Sequence, residues 1–169
     1  MRYASINSLD ISNGEGTGVA LFTQGCIKHC KNCFNPDTWD INGGKEFTLD
    51  IQKQFLELVN KPYISRVTFL GGEPLLGENA FGVTNLSKII HNNYPNKKQW
   101  LYTGYTWEEL QELNLLSHLE YIDIVVEGPY IDDLKDYTLK FRGSKNQRIV
   151  DVQKSLSTNT IVLWKEGNY

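Results

Sequence analysis

Short apolar and β-branched runs recur along the chain at 18–23, 66–70, 99–103, 121–127 and 160–164, each with turn residues near its ends. Amphipathic stretches separate several of them. Positions 48–60 place Ile51, Phe55, Leu58 and Val59 on one helical face, with Thr48 as the N-cap. Positions 83–94 repeat the pattern with Leu86, Ile89 and Ile90. Positions 106–113 open on Thr106-Trp107-Glu108-Glu109, a capping-box pattern in which Glu109 reaches back to the cap. This alternation predicts βαβ units and a mainly parallel sheet. The C-terminal part of the chain is assigned only loosely.

In sheets of this kind the functional loops lie beyond the carboxyl ends of the strands. Three conspicuous loops follow predicted strands: a cysteine segment, Gly71-Gly72-Glu73-Pro74, and Gly104-Tyr105. One edge of the sheet therefore gathers them into one site. No repeat, low-complexity tract or Pro/Gly/Ser linker interrupts the sequence, which predicts a single domain over 1–169.

Composition narrows the class. With 40% apolar and 22% charged residues the chain reads as an ordinary soluble globular protein. No apolar run reaches the roughly 18 residues of a membrane span. The N-terminus lacks the basic-then-apolar pattern of a signal peptide, so a cytoplasmic location with no membrane partner is expected. A net charge of −3 argues against indiscriminate binding to nucleic acid or anionic lipid. The three cysteines are an odd number, all within 26–33, which excludes a disulfide scaffold and points to a metal or redox site.

Cys26, Cys30 and Cys33 have the spacing C-x3-C-x2-C. Thiolates so spaced on a looping backbone converge on one small inorganic centre. A structural zinc site closes four protein ligands, and an iron–sulfur cube takes four thiolates. With three cysteines a cube keeps one iron open to a substrate or cofactor. The alternatives are a Cys3His zinc site completed by His91 or His118, or unliganded buried thiols. The turn Gly71-Gly72-Glu73-Pro74 ends a buried strand; paired glycines allow close backbone approach, and Glu73 offers a carboxylate to an ammonium group. Taken alone it reads as an ordinary turn with a solvated acid.

Together these motifs resemble the radical S-adenosylmethionine (SAM) superfamily. Further segments narrow the resemblance to the activases of anaerobic (class III) ribonucleoside-triphosphate reductases. They are Thr23-Gln24-Gly25-Cys26, Cys33-Phe34-Asn35-Pro36-Asp37-Thr38-Trp39, Leu101-Tyr102-Thr103-Gly104-Tyr105-Thr106, Val126-Glu127-Gly128-Pro129-Tyr130 and Phe141-Arg142-Gly143-Ser144-Lys145-Asn146-Gln147-Arg148. Nearly the whole chain is covered. One position departs: the residue before the third cysteine, usually aromatic in the superfamily, is Asn32, and Phe34 follows the cluster motif instead.

The resemblance implies a single-domain α/β fold, a trimmed partial (β/α) barrel. It implies a [4Fe–4S] cluster on Cys26, Cys30 and Cys33, with SAM chelating the fourth iron. Gly71, Gly72 and Glu73 would bind the methionyl ammonium, Thr103 and Gly104 would lie along the ribose or methionyl part, and Asn32 and Phe34 would flank the adenine. The implied activity is reductive cleavage of SAM to a 5′-deoxyadenosyl radical that makes the glycyl radical of the reductase. The implied partners are that reductase and a low-potential electron donor such as flavodoxin. Alternatives are activation of another glycyl-radical enzyme, radical modification of a peptide, and, from a different class, a zinc-binding interaction module.

Other residues carry weaker signals. Six basic residues between Lys135 and Lys154 stand against two acids, Asp136 and Asp151. They read as a solvated face, as a docking surface for the reductase, or as a contact to the SAM carboxylate through Arg142 or Arg148. Trp39 and Trp107 are expected in core or rim packing. His91 is expected on a helix surface. Asp123 and Glu127 are expected to face the site, with a turn role as the alternative for Glu127.

Overall fold

The computed structural model describes residues 1–167; the last two positions of the expected 1–169 domain lie outside the described residues. Seven strands form one sheet, β1 (Arg2–Asp10), β2 (Gly18–Thr23), β3 (Lys45–Glu46), β4 (Arg66–Gly71), β5 (Lys98–Tyr102), β6 (Ile124–Glu127) and β7 (Arg148–Asp151), in the order β3-β1-β2-β4-β5-β6-β7. The central strands β2, β4, β5 and β6 run parallel, and β1, β3 and β7 are added antiparallel at the two sides. Helices α1 (Leu49–Val59), α2 (Glu78–Asn93) and α3 (Trp107–Glu112) connect the parallel strands, and α4 (Val152–Thr158) follows β7. Among the described residues no helix is long and apolar enough to cross a membrane.

Alternation along the strands sorts the two faces. Leu21, Phe69, Leu101 and Val125 lie in register across β2, β4, β5 and β6. They enter one core with Phe55 and Val59 of α1, Val83, Leu86 and Ile90 of α2, and Leu110 of α3. The opposite face presents Thr68, Trp100 and Ile124, and no helix between parallel strands covers it. Two loops cover it instead. Trp100, Ile124 and Val126 pack with Phe141 from the long β6–β7 connection and with Trp164. The β1–β2 loop is tied down by Arg66, which is fully buried and pairs with Asp10 at 2.8 Å. Arg66 also donates to the carbonyls of Asn13 at 2.8 Å and Glu15 at 3.2 Å.

The expected parallel centre and its three helices are present. Thr48 caps α1, its Oγ1 accepting from Ile51 N, and the Thr106–Glu109 capping box closes in both directions. The expected strand at 160–164 is corrected: this stretch makes one bridge, Val150 to Leu163, and a few backbone bonds onto β7. The regular strand is β7, four residues long and too short to show a period. Strand β1 also escaped the pattern. Along it only Tyr3 and Asp10 are buried, and two register shifts break its pairing with β2, so no clean alternation exists.

Candidate functional site

The loops at the carboxyl ends of β2, β4, β5 and β6 open onto a cavity of about 560 Å³ on the helix-free face, a volume typical of small-molecule sites. Cys26, Cys30, Cys33, Phe34, Gly71, Gly72, Glu73, Thr103 and Gly104 all line it. Asn32 does not: its side chain turns away and donates to Asp132 Oδ2 at 2.8 Å.

The cysteine loop leaves β2 and winds tightly, with His29 and Asn32 both at positive φ. All three thiols are free and half-buried. Asn35 N donates to Cys33 Sγ at 3.4 Å, and the backbone N–H groups of Lys28 and His29 favour a thiolate at Cys26. Burial nonetheless pushes the Cys26 thiol up, and the nearby Glu73 carboxylate adds to the effect. Among the described residues no three His, Cys, Asp or Glu side chains are drawn together as a single metal ion requires. All three thiols line the one cavity. The histidines invoked for zinc are engaged elsewhere. His118 Nδ1 lies 2.8 Å from Thr84 Oγ1, and His91 is exposed beside Tyr121. The donor set of three thiols on an open cavity therefore fits a cluster with one free iron better than a closed zinc site.

Glycines weld this loop to the end of β4. Gly72 N donates to Thr23 O at 2.9 Å, and Glu73 N donates to Gly25 O at 2.8 Å. Gly71 has φ +107°, and a Cβ on Gly72 would stand 2.4 Å from Gly25 O. The paired glycines thus have a structural cause of their own: any side chain would push the β4 turn off the residue that precedes Cys26. Gly72→Ala is expected to cost about 3 kcal/mol, the upper end for overpacking, because the obstacle is backbone. Urea unfolding checks the loss of stability, and iron loading after reconstitution should fall with it.

Glu73 is not a solvated acid; it is 1% exposed. Thr103 Oγ1 donates to its Oε1 at 2.8 Å, Leu75 N to the same oxygen at 3.1 Å, and Gly104 N to Oε2 at 2.8 Å. Burial still pushes its carboxyl up, against those three donors and the charge of Lys28. A carboxylate offers about four acceptor sites, so three donors leave one on Oε2 for a cation in the cavity.

Several expectations are corrected here. Asp123 precedes β6, at the opposite end of the sheet from the site, where it accepts from Gln99 N at 2.8 Å and Lys98 Nζ at 3.2 Å. Glu127 is at the right end but does not face a ligand; it is buried, accepting from Trp107 N at 3.0 Å and from the Arg148 guanidinium. Arg148 also forks onto Glu108 at 2.7 Å, so it is not a carboxylate receptor. The basic segment is not a bare positive surface either. Lys135, Lys140, Lys145 and Lys154 pair with Asp132, Glu166, Asp136 and Asp151, acids that lie partly outside the segment. Arg142 lines the cavity and donates to Gln147 O at 2.5 Å. Trp107 is in the core, and Trp39 stacks on His29 at the cavity rim with centroids 4.6 Å apart.

Sequence reasoning did not place Lys28, Tyr102, Tyr130 or Gln147 in the site, yet all four line the cavity. Lys28 lies inside the cysteine motif, and that position is the signal that would have found it. The other three come from β5 and the β6–β7 connection, where no local pattern distinguishes a wall residue.

Comparison with known proteins agrees with this geometry. A family model described as a 4Fe-4S single cluster domain matches residues 12–150. The anaerobic ribonucleoside-triphosphate reductase-activating protein of Enterobacteria phage T4 is 36% identical over 165 residues, covering 98% of this chain and 99% of its own. The proteins of that name from Escherichia coli K12 and Vibrio cholerae serotype O1 are 36% and 34% identical, covering 87% and 88% of this chain and 96% and 97% of their own.

Proposed function

The chain belongs to the family of the anaerobic ribonucleoside-triphosphate reductase-activating proteins, and from that premise we propose that it is a radical SAM activase. The observation that carries the proposal is the convergence of the three thiols, the glycine turn and Glu73 on one cavity at the sheet's carboxyl edge. Cys26, Cys30 and Cys33 would hold a [4Fe–4S] cluster. Bound there, the cluster and SAM would supply the one-electron reductive C–S cleavage that leads to hydrogen-atom abstraction from a glycine of the anaerobic reductase.

The chain's own residues bind, orient and exclude water. Glu73, held by Thr103, Leu75 and Gly104, keeps an acceptor for the methionyl ammonium. Gly71 and Gly72 keep that wall within backbone distance of the cysteine loop. Thr103 and Gly104 run along the ribose or methionyl part. Phe34, its ring 5.1 Å from that of Tyr130, offers an aromatic edge to the adenine; Asn32, outside the cavity lining, has no part in it. The four parallel strands with a helix-free inner face support reading the sheet as the trimmed part of a (β/α) barrel and 1–169 as one domain. An open mouth leaves the radical unprotected, so closure falls to the reductase docking over it. A low-potential donor such as flavodoxin supplies the electron, and the reaction runs in the cytoplasm.

The test is anaerobic reconstitution with iron and sulfide, followed by dithionite and SAM. A brown protein that yields methionine and 5′-deoxyadenosine is expected. A colourless protein that binds zinc and leaves SAM intact would overturn the proposal in favour of an interaction module.

A further inference from the structure

One charge in the cavity has no place in the steps above. Lys28 sits between Cys26 and Cys30 in sequence and lines the same cavity as all three thiols. Its side chain is only 22% exposed. The stem passes the tip of β5, where a Cβ on Gly104 would stand 3.2 Å from Lys28 Cγ. The ammonium lies 4.1 Å from the centroid of the Tyr105 ring, a cation–π contact, and 3.5 Å from Glu109 Oε2. That same oxygen accepts from Thr106 N at 2.8 Å, so the carboxylate that caps α3 also anchors this lysine. Lys31, the other cation of the loop, is exposed and screened by solvent.

A cluster on three thiolates gains a further negative charge on reduction. Its potential follows net charge, hydrogen bonds to sulfur and exposure. A cation fixed in the partly dehydrated wall of the same cavity favours the reduced form, and a carboxylate behind that cation takes part of the effect away. We propose that Lys28 raises the reduction potential of the cluster held by Cys26, Cys30 and Cys33, and that Glu109 moderates it through Lys28. This rests on the cluster assignment made above. The α3 capping box is thereby a positioning device for the redox centre as well as a helix start.

Substitution separates the two roles of Glu109, because glutamine serves the capping box as glutamate does while carrying no charge. The experiment is an EPR-monitored redox titration of the reconstituted protein without SAM. Lys28→Met is expected to lower the reduced-to-oxidised ratio at a fixed potential by about tenfold, which is about 59 mV for one electron. Glu109→Gln is expected to move the ratio the opposite way, and Lys28→Arg to stay within about twofold of wild type. Lys28→Met with full iron and an unmoved potential would overturn the proposal. So would Lys28→Met and Glu109→Gln shifting in the same direction, since loosened packing rather than charge would then be the cause. Iron content distinguishes the deeper failure: a wild-type protein that assembles no cluster removes the assignment itself, and this proposal with it.

Discussion

Cys30→Ala is expected to abolish reductive SAM cleavage and to leave the protein with little cluster iron after reconstitution. The reason is stoichiometric. A cube with one iron reserved for the cofactor needs three protein ligands, and the proposed assignment uses all three of the chain's cysteines. No histidine replaces the lost thiol, since His91 and His118 do not line the cavity and His29 stacks on Trp39. The fold should survive, because Cys30 lies in a loop and is half-buried rather than in the core. Circular dichroism and urea unfolding near wild type, with absorbance near 400 nm gone, is the expected combination. Full cleavage by the variant would mean that the electron reaches SAM by another route.

Asp10→Ala is expected to have the largest effect on stability, about 3–5 kcal/mol, because it strips the partner from a fully buried guanidinium. An exposed ion pair would lose only about 1 kcal/mol or less. Asp10 also accepts from Asn13 N at 3.1 Å and Asn13 Nδ2 at 2.8 Å, so its carboxylate fixes the turn as well as Arg66. Ser12 and Asn13 line the cavity, and loosening this loop should weaken SAM binding along with the fold. An unfolding free energy in urea within about 1 kcal/mol of wild type would show that the loop carbonyls alone satisfy Arg66.

What the sequence revealed depends on how local each cause is. Strand β2 was legible at its full length because its residues are almost all buried and flanked by turns. The capping box of α3 was legible because both its bonds lie within four residues. The cysteine spacing, the glycine turn and the Thr103-Gly104 loop were legible as separate motifs, and parallel topology explains why they meet. Long-range partners were not legible. Glu127 reads locally as an acid at a strand end, and only folding brings Arg148 to it from the far side of β6. Arg66 reads as the polar start of a strand, yet it is the buried anchor of a loop fifty residues earlier. The inner cavity wall on the β6–β7 connection is irregular backbone, held by side-chain bonds such as Gln147 Nε2 to Gly128 O at 3.1 Å, and no period announces it.

EPR of the partner tests most directly whether this chain places a radical on the partner's glycine. The reconstituted protein, SAM and dithionite are mixed anaerobically with the anaerobic ribonucleoside-triphosphate reductase of the same source and frozen. A glycyl-radical doublet on the reductase, absent without SAM and absent with Cys30→Ala, is the predicted result. Accumulation of 5′-deoxyadenosine with no doublet on the reductase would contradict it.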